Sequence, residues 1–537
     1  MIEHVVSSAV VVPSGRWSRI TSRVRLEAPT LVEWGLAALS AGFLILSFPN
    51  FESYRLAWIG LVPLLVAVAR RPSPLRALIL GWAMGTVFFY ATCYWLTYSM
   101  IHYGGLPTVV AYLLLIPGAL VVGIFPGLFA VLGALAVRRW GPMSLIIAPV
   151  FWAALEWARL EVTGQLWNAL GYSQAYNPHL IQAATWGGVY AVSFLIVGFN
   201  SGIALLIVEH TQRAFIAGLL TLLFVVIIVV GSVQEYFVGS DPVPTVWVVA
   251  LQPNVPMNLD KSADEMKQLL ERHLTLSKEG LSHVPDYAQK LVVWPESPMN
   301  FTYSSDKNFQ ELIANFTREN HTSLLFNSLE PAPDGGSYNS ALLVNEEGRL
   351  ISQYDKIRLM PFGEYVPLPQ WLPGASLITG LVGEFTPGTK YTLMPIADRR
   401  AGVFICIESA YPWIARTMTK EGANVLINIS NDGYLGPTAV MRQHLANVIF
   451  RAVENSTSIL RVTNTGLSAS ITYDGFISGT TTEGFQTDVR VWSLGSNTQT
   501  RRTFYTKHGD VLVQACALLT LAALVTILLT RRRSFKV

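Results

Sequence analysis

Long apolar runs dominate the first half of the chain. From about residue 31 to 237 the sequence is almost continuously hydrophobic, with short charged or Pro/Gly-containing breaks. Because a helix needs about 20 apolar residues to cross a bilayer, these runs predict a polytopic α-helical membrane domain of seven spanning helices at 31–237, with an eighth helix near the C-terminus. The predicted spans are residues 31–49, 54–70, 77–100, 108–137, 142–158, 182–208, 214–233 and 511–530.

The segment 243–490 has a different pattern. Short runs rich in β-branched and aromatic residues alternate with stretches of helical period. The predicted strands include 245–252, 290–294, 323–327, 338–345, 401–405 and 425–429, and the predicted helices include 263–282, 308–320 and 440–454. Alternation of this kind indicates an α/β fold, and roughly 250 residues are enough for a domain that folds alone.

Arginines lie at one end of the predicted spanning helices. Basic residues in short loops favour the cytoplasmic side, and with eight spans all of the basic segments fall on the same side. These segments are 1–30, 70–76, 138–139, 213 and 531–533, whereas 101–107 and 159–181 carry almost no basic residue except Arg159. The pattern predicts that both tails, 1–30 and 531–537, are cytoplasmic and that 243–490 lies outside. A transit peptide within 1–30 stays an alternative.

Composition narrows the class of protein. Charged residues make up 14% and hydrophobic residues 51% of the chain, whereas soluble domains average about 25% charged residues. The net charge of +3, without a basic cluster interleaved with aromatic residues, argues against nucleic-acid binding. The three cysteines form neither a disulfide framework nor a CxxC metal pattern. We therefore predict no metal site and expect no cofactor.

Three polar residues follow apolar runs of the α/β segment. Glu296 comes after a predicted strand, Lys356 after the segment 353–355, and Cys406 directly after the apolar strand 401–405. Catalytic groups of open α/β sheets collect at strand ends. We therefore expect these three side chains to meet at one site.

Glutamate, lysine and cysteine together can catalyse acyl transfer. A thiol with a pKa of about 8.5 is mostly protonated near neutral pH, so Glu296 is suited to act as general base toward Cys406. Lys356 is suited to stabilise the oxyanion of a tetrahedral intermediate. Each residue also has a structural alternative, since free cysteine is usually a small buried hydrophobe. On its neighbours alone, Cys406 is more readily interpreted as a packing residue.

Several short motifs resemble those of the nitrilase superfamily in order and spacing. They are Trp294–Ser297, Asp355–Lys356 with Pro361–Glu364, Cys406–Glu408, Ile429–Gly433, Arg451–Glu454 and Arg461–Gly466. A domain of this kind flanked by seven predicted spans and one is similar to the apolipoprotein N-acyltransferase family. The segment Trp167–Gln174, between the fifth and sixth spans, also resembles that family. The resemblance covers nearly the whole chain from about residue 31.

The resemblance implies a fold and a set of roles. The fold is a four-layer αββα sandwich, with Glu296 as base, Lys356 as oxyanion stabiliser and Cys406 as nucleophile. Glu364 and Glu408 match two further acids that shape the family's site. Trp167, Asn431 and Tyr434 are implied to contact substrate. The chain departs from the family pattern at Ile407, at Tyr434 and near Lys261, which leaves the acyl-donor preference open.

The resemblance further implies the partners and the location. These are a phospholipid as acyl donor, a diacylated apolipoprotein as acceptor, and the bacterial inner membrane with the catalytic domain on its periplasmic side. The segment 366–388 is more apolar than an ordinary surface loop, and apolar patches often mark membrane or ligand sites. We expect Trp371 and Leu372 to belong to an arm at the bilayer interface that gates lipid entry, with a loop folded into the core as the alternative.

Two other functions fit the same sequence. The α/β domain could be a membrane-tethered amidase that hydrolyses a small amide. It could also be a catalytically silent binding module in which Cys406 is only buried. The three hypotheses differ in the adduct that Cys406 should carry: a long acyl chain, a small transient group, or none.

Overall fold

A computed structural model describes residues 28–234, 244–258, 261–361, 363–366, 385–495 and 502–529. Within these ranges, six helical segments are long and apolar enough to cross a membrane, and Leu31–Ser47 is a shorter apolar helix. The six are Pro74–Thr92, Thr108–Trp140, Pro142–Thr163, Ala184–Val208, Gln212–Ser232 and Val511–Leu529. The chain thus has several apolar helices, but the predicted number of eight spanning helices is not confirmed.

The described helices follow the hydrophobic pattern closely in the membrane part and alternate with strands beyond it. They are Leu31–Ser47 (α1), Ala57–Gly60 (α2), Val62–Arg70 (α3), Pro74–Thr92 (α4), Leu96–His102 (α5), Thr108–Trp140 (α6), Ala148–Thr163 (α7), Pro178–Ile181 (α8), Ala184–Val208 (α9), Gln212–Gln234 (α10), Ala263–Leu281 (α11), Lys307–Glu319 (α12), Pro412–Lys420 (α13), Val440–Asn455 (α14), Phe504–His508 (α15) and Val511–Leu529 (α16). Short 3-10 helices cover Tyr54–Leu56, Pro142–Ile147, Leu170–Gln174, Cys406–Ala410 and Gly433–Leu435.

The predicted second span, 54–70, is interrupted. Helix α2 ends at Gly60 and α3 begins at Val62. The side chain of Asn200, from α9, fills the gap: its Oδ1 accepts the N–H groups of Leu61 and Val62 at 2.8 and 3.1 Å, and its Nδ2 donates to the carbonyl of Ala57 at 3.0 Å. Because a buried backbone group needs a partner, this asparagine stabilises a break that the hydrophobic pattern does not reveal.

Two other predicted spans contain breaks. The span 77–100 ends as a helix at Thr92, and α5 is a separate helix. Within α9 the backbone is non-helical at Gly187 and Gly188, where Gly188 has a φ of +65°. A Cβ added to Gly188 would lie 2.9 Å from the ring of Tyr505. Glycine therefore permits both the left-handed conformation and the close contact.

The α/β domain contains two mixed sheets. The six-stranded sheet has the order β11-β1-β2-β3-β4-β5, and the five-stranded sheet has the order β10-β9-β8-β7-β6. The strands are Pro244–Gln252 (β1), Gln289–Val293 (β2), Ser323–Pro331 (β3), Ser337–Val344 (β4), Leu350–Asp355 (β5), Leu393–Ile396 (β6), Arg399–Ile405 (β7), Val425–Ser430 (β8), Ile459–Thr463 (β9), Ala469–Ile471 (β10) and Asp488–Gly495 (β11). Strands β1–β3 are parallel to one another, as are β7–β9.

Alternation along the strands creates a layered domain. In β1, Val246 and Val248 join the core shared with the five-stranded sheet, whereas Val249 and Leu251 join a separate apolar cluster with residues of α11 and α12. Successive side chains of a strand point to opposite faces, so the six-stranded sheet lies between the helices and the other sheet. Helices α13 and α14 contact the five-stranded sheet. The arrangement is the expected αββα sandwich.

Helix α14 also contacts the membrane domain. Every residue from Gln443 to Asn455 is buried, because one side of the helix packs on the five-stranded sheet and another side contacts α9. The carboxylate of Glu454 accepts the N–H of Val189 at 3.0 Å, next to the break in α9. The α/β domain therefore docks on the membrane helices through its outer helical layer.

Candidate active site

The three predicted catalytic residues lie close together at strand ends. Glu296 follows β2, Lys356 directly follows β5, and Cys406 directly follows β7. The Nζ atom of Lys356 is 3.2 Å from Oε1 of Glu296. The thiol of Cys406 interacts electrostatically with both of these side chains. The site thus lies where the two sheets of the sandwich meet.

Three side chains lie around Lys356 in what we term the carboxylate–lysine cluster, which consists of Glu296, Asn339, Lys356 and Glu364. Oε1 of Glu364 accepts from Nζ of Lys356 at 2.9 Å and from Nδ2 of Asn339 at 2.7 Å. The same Asn339 nitrogen donates to Oε1 of Glu296 at 2.9 Å. Glu364 therefore contacts the lysine directly, while its role in the reaction stays a prediction, and Asn339 is a member that the sequence did not suggest.

The environment of Lys356 favours its charged form. The side chain is 1% exposed, whereas those of Glu296 and Glu364 are 13% and 10% exposed. Burial lowers the pKa of Lys356, but the carboxylates of Glu296 and Glu364 raise it by more, so that the net pKa lies well above its ordinary value. A permanently charged ammonium is suited to stabilise a developing negative charge.

Cys406 has a backbone conformation unusual for a residue with a side chain. Its φ is +52°, in the left-handed region that is uncommon outside glycine, and strained backbone of this kind gathers at functional sites. The Sγ atom is 4.0 Å from the carbonyl oxygen of Asn431. Burial, followed by the Glu296 carboxylate, raises the pKa of the thiol, and Lys356 only partly offsets this. The resting group is therefore a thiol that needs a base.

Glu408 connects the strand end of the nucleophile to that of the lysine. Its carboxylate accepts the N–H of Ile405 at 2.7 Å, the N–H of Ile357 at 2.7 Å and the hydroxyl of Tyr354 at 2.8 Å. Burial raises the pKa of Glu408 to about 7, although these hydrogen bonds lower it. The residue is fully buried, and its predicted role in shaping the site stays a prediction.

A second cluster, the aspartate–histidine–arginine cluster of Asp432, His444 and Arg461, lies on the other side of Cys406. Oδ1 of Asp432 is 2.8 Å from Nδ1 of His444, and its Oδ2 accepts from Arg461 at 2.9 Å. Nε2 of His444 is 3.0 Å from the carbonyl oxygen of Cys406. Burial raises the pKa of Asp432, but Arg461 and then His444 lower it by more than burial raises it. The resulting pKa is about 2, below the ordinary value.

Sequence reasoning did not assign roles to His444 and Arg461. The available signal for Arg461 was a charged residue within the otherwise apolar strand β9. Helix α14 contains several other polar residues, so His444 gave no comparable signal. Lysine and arginine are almost never fully buried without a partner. Such a residue in a predicted core strand therefore indicates a buried ion pair.

Tyr434 borders the site where the membrane domain approaches it. Its carbonyl accepts from Ser99 at 2.6 Å, and its ring lies 5.6 Å from that of Tyr103. The side chain is 43% exposed. Partial burial, followed by the Glu296 carboxylate, raises the pKa of its phenol to about 12. The position suits the predicted substrate contact.

The other predicted substrate contacts are placed differently. Trp167 is buried and donates to Oε1 of Gln443 at 2.7 Å. The side chain of Asn431 is also buried and accepts the N–H of Gly433 at 3.1 Å. Both side chains thus make hydrogen bonds within the protein, and their contact with substrate stays a prediction. Trp371 and Leu372 lie outside the described residues.

The other two cysteines, Cys93 and Cys516, lie in the membrane domain and are not members of either cluster. Cys93 accepts from Asn168 at 3.6 Å, and Cys516 lies in helix α16. Among the residues that the structure describes, no group of three or more histidine, cysteine or acidic side chains is arranged to hold a metal ion. The absence of a metal and of a cofactor from the reaction stays a prediction.

Comparison with known proteins decides the family. The apolipoprotein N-acyltransferase of Geobacter metallireducens is 32% identical over 93% of this chain and 95% of its own length. The chain belongs to the apolipoprotein N-acyltransferase family. The family's N-terminal domain model matches residues 40–202, and the carbon-nitrogen hydrolase model matches 248–496. The Thermotoga maritima apolipoprotein N-acyltransferase is 29% identical over 96% of this chain and 97% of its own.

Solved structures show a weaker similarity to this chain. Nit3 of Saccharomyces cerevisiae, a member of the nitrilase superfamily, has 18% identity and a TM-score of 0.37, covering 55% of this chain and 99% of its own. The two apolipoprotein N-acyltransferases named above are bacterial, and their matches extend over the apolar helices. The chain is therefore a bacterial membrane protein that belongs to the nitrilase superfamily. It is an acyltransferase that acts in lipoprotein maturation.

Proposed function

We propose that Cys406 carries an acyl chain from a phospholipid to the N-terminal amine of a diacylglyceryl-cysteine on an apolipoprotein. The observation that carries the proposal is the convergence of Glu296, Lys356 and Cys406 at one end of the sandwich, in a chain that also has apolar spanning helices. A soluble amidase would have no need for these helices.

In the first step, Cys406 attacks the ester carbonyl of the phospholipid. Because the resting group is a thiol, Glu296 takes its proton. The hydrogen bonds to Glu296 from Asn339 and Lys356 both use Oε1, which leaves Oε2 to receive that proton. Lys356 donates to the oxyanion of the tetrahedral intermediate. The lysophospholipid alkoxide then leaves with the proton from Glu296, and a thioester remains on Cys406.

In the second step, the amine of the acceptor attacks the thioester carbonyl. Glu296 accepts the amine proton, and Lys356 again stabilises the oxyanion. The sulfur leaves as a thiolate and takes up the proton held by Glu296, so that the enzyme returns to its starting state. Exclusion of water by a closed site limits competing hydrolysis of the thioester.

The placement of charged residues supports a periplasmic catalytic domain and cytoplasmic termini. At the beginning of α1, Glu33 pairs with Arg76 at 3.5 Å and with Arg71 at 3.4 Å. Near the opposite ends of α1 and α4, the carbonyls of Pro49 and Thr92 accept from Gln443 of the α/β domain. The basic loop and the catalytic domain thus contact opposite ends of the same helices, which agrees with the positive-inside rule.

Mass spectrometry of the purified full-length protein tests the proposal. After incubation with vesicles of phosphatidylethanolamine and phosphatidylglycerol, we expect a long-chain acyl adduct on Cys406 that disappears when a diacylated lipopeptide is added. Cys406→Ala should carry no adduct, and Cys93→Ala should be acylated like the wild type. Acyl transfer by Cys406→Ala would contradict the thioester mechanism, and a small adduct formed only with short amides would favour the amidase.

A further inference from the structure

Gln443, at the start of helix α14, uses its whole side chain to bind the membrane domain. Its Oε1 accepts the indole N–H groups of Trp95 and Trp167 at 3.0 and 2.7 Å. Its Nε2 donates to the carbonyls of Thr92 and Pro49 at 2.9 and 3.4 Å. An amide has two donors and an acceptor oxygen with two lone pairs, so every hydrogen-bonding position of Gln443 is occupied by the membrane domain.

His444, the next residue, contacts the nucleophile. Its Nε2 is 3.0 Å from the carbonyl oxygen of Cys406, and the tautomer with its proton on Nε2 donates to that carbonyl. In this tautomer Nδ1 is an acceptor, and Nη2 of Arg461 lies 3.2 Å from it. Its Nδ1 faces Asp432 at 2.8 Å, and the ring is 3% exposed. The carbonyl belongs to the residue whose φ is +52°. A conformation of this kind persists only where surrounding contacts hold it.

Trp167 contacts both Gln443 and His444. Its indole donates to Gln443, and its ring centroid lies 5.6 Å from that of His444. Its carbonyl accepts from the buried Arg159 of helix α7 at 2.7 Å. A chain of direct contacts therefore runs from a helix of the membrane domain through Trp167 to the residues that hold Cys406.

We propose that His444 is a positioning residue that holds the Cys406 backbone in its reactive conformation. We further propose that Gln443 fixes the position of His444 by binding helix α14 to the membrane domain. Neither side chain takes part in bond making. Both act by fixing where the thiol lies relative to Glu296 and Lys356. The inference rests on the proposed function only in that acylation is the reaction used to measure it.

The experiment distinguishes a displaced Cys406 from a protein that fails to fold. Full-length His444→Leu, His444→Gln and Gln443→Met are incubated with phosphatidylethanolamine–phosphatidylglycerol vesicles, and the acyl-enzyme is followed by intact mass. We expect His444→Leu to form the acyl-enzyme about 100-fold more slowly, since a displacement of about 1 Å can slow a reaction by this factor. Gln443→Met should form it about 10-fold more slowly, because Gln443 acts on Cys406 only through His444. The final acylated fraction should stay as in the wild type. His444→Gln keeps a donor for the Cys406 carbonyl and should recover about 10-fold of the loss.

Gln182→Met is the matched control for Gln443→Met. Gln182 is also a buried glutamine that bonds across the two domains, donating to the carbonyl of Asp474 at 2.8 Å. Gln182→Met should acylate within about twofold of the wild-type rate, because its contacts do not lead to His444. Equal losses in the two methionine variants would overturn the role of Gln443.

Alkylation of Cys406 by iodoacetamide gives a readout that is independent of lipid. We expect about 10-fold slower alkylation in His444→Leu, with Cys406→Ala defining the background from the other thiols. Wild-type rates of both alkylation and acylation in His444→Leu would overturn the positioning role. A lower final acylated fraction with unchanged rates would also overturn it, because it would indicate that part of the protein is misfolded. A wild-type protein that is alkylated at Cys406 but never acylated would instead contradict the proposed function, and the alkylation rates would still decide the positioning.

Discussion

The two polar clusters beside Cys406 differ in what they contact. The carboxylate–lysine cluster comes from the six-stranded sheet, keeps its two glutamates 10–13% exposed, and interacts with the thiol. The aspartate–histidine–arginine cluster comes from the five-stranded sheet and helix α14, is at most 3% exposed, and contacts the backbone of Cys406. In the proposed mechanism, proton transfer and charge stabilisation therefore come from one sheet, and the positioning of the nucleophile comes from the other.

The charges of the two clusters are also opposite in arrangement. In the first, the Lys356 ammonium lies between two carboxylates, whose attraction keeps the pKa of the lysine raised. In the second, the Asp432 carboxylate lies between Arg461 and His444, which keep the pKa of the aspartate low. Burial and then the Arg461 guanidinium lower the pKa of His444. Each cluster depends on one central group, so replacement of that group is the most direct way to test the comparison.

The largest effect is expected for Lys356→Met. Loss of the oxyanion donor should slow acyl-enzyme formation by about 1000-fold. Loss of the cation between Glu296 and Glu364 should also lower the free energy of unfolding by about 3–5 kcal/mol, because a buried carboxylate is left without its partner. Intact mass measures the first quantity, and chemical denaturation in detergent measures the second.

The double variant Lys356→Met/Glu364→Gln separates the two effects. Removing one carboxylate should restore part of the stability, since less uncompensated charge is buried. Acylation should stay as slow as in the single variant. Recovery of the acylation rate together with stability would mean that Lys356 serves only the fold, and the distinction between the clusters would be lost.

An intermediate effect is expected from acid titration of the second cluster. The folded pKa of Asp432 is lowered from 3.8 to about 2, so its stabilisation is complete above pH 3.8 and is lost as the pH falls through about 2. At 1.36 kcal/mol per pKa unit, this amounts to about 2 kcal/mol. Unfolding measured between pH 6 and pH 2 should show this loss in the wild type and a smaller one in Asp432→Asn.

Asp306→Asn is the control for the acid titration. Asp306 caps helix α12, where its carboxylate accepts the N–H of Phe309 at 3.0 Å, and asparagine is an equally good cap. This variant should retain the wild-type loss of stability between pH 4 and pH 2. An unchanged acid response in Asp432→Asn would show that the second cluster does not depend on its central carboxylate.

The smallest effect is expected for Glu364→Gln. The amide preserves the shape of the side chain but weakens the contact with Lys356, and we expect about 10-fold slower acylation, or about 1.4 kcal/mol. Glu330→Gln is the matched control, since Glu330 is a buried glutamate whose carboxylate accepts from Ser328 at 2.6 Å. The same loss in both variants would indicate a general effect of removing a buried carboxylate.

Several apolar strands and amphipathic helices of the α/β domain could be predicted from the sequence within one or two residues. Strand 425–429 is Val425–Ser430 in the structure, and helix 263–282 is Ala263–Leu281. Strand Leu350–Asp355 was not predicted, because half of its residues are polar and only Tyr354 among them is buried. Strands β6, β9, β10 and β11 were not predicted either. In the membrane part the hydropathy located the helices, but the break at Leu61 depends on Asn200, which lies far along the chain.

Part of the site could also be predicted. Glu296, Lys356 and Cys406 each follow an apolar or strand-forming run, and the structure brings them together. Their individual roles stay predictions. His444 and Asn339 were missed because their importance lies in tertiary contacts, to the Cys406 carbonyl and to two carboxylates, which leave no periodic signal in the sequence.

The burial of helix α14 on two sides has a consequence for modularity. A nitrilase-like domain that folds alone would present the outer side of such a helix to water, where its sequence could vary freely. Here that side carries Gln443 and Glu454, which bind the membrane helices. The catalytic half is therefore not a portable unit: excision of 244–495 would expose an apolar surface and remove the contacts that hold His444 in place. Transplanting this domain onto another membrane anchor would require the helices that contact α14 to move with it.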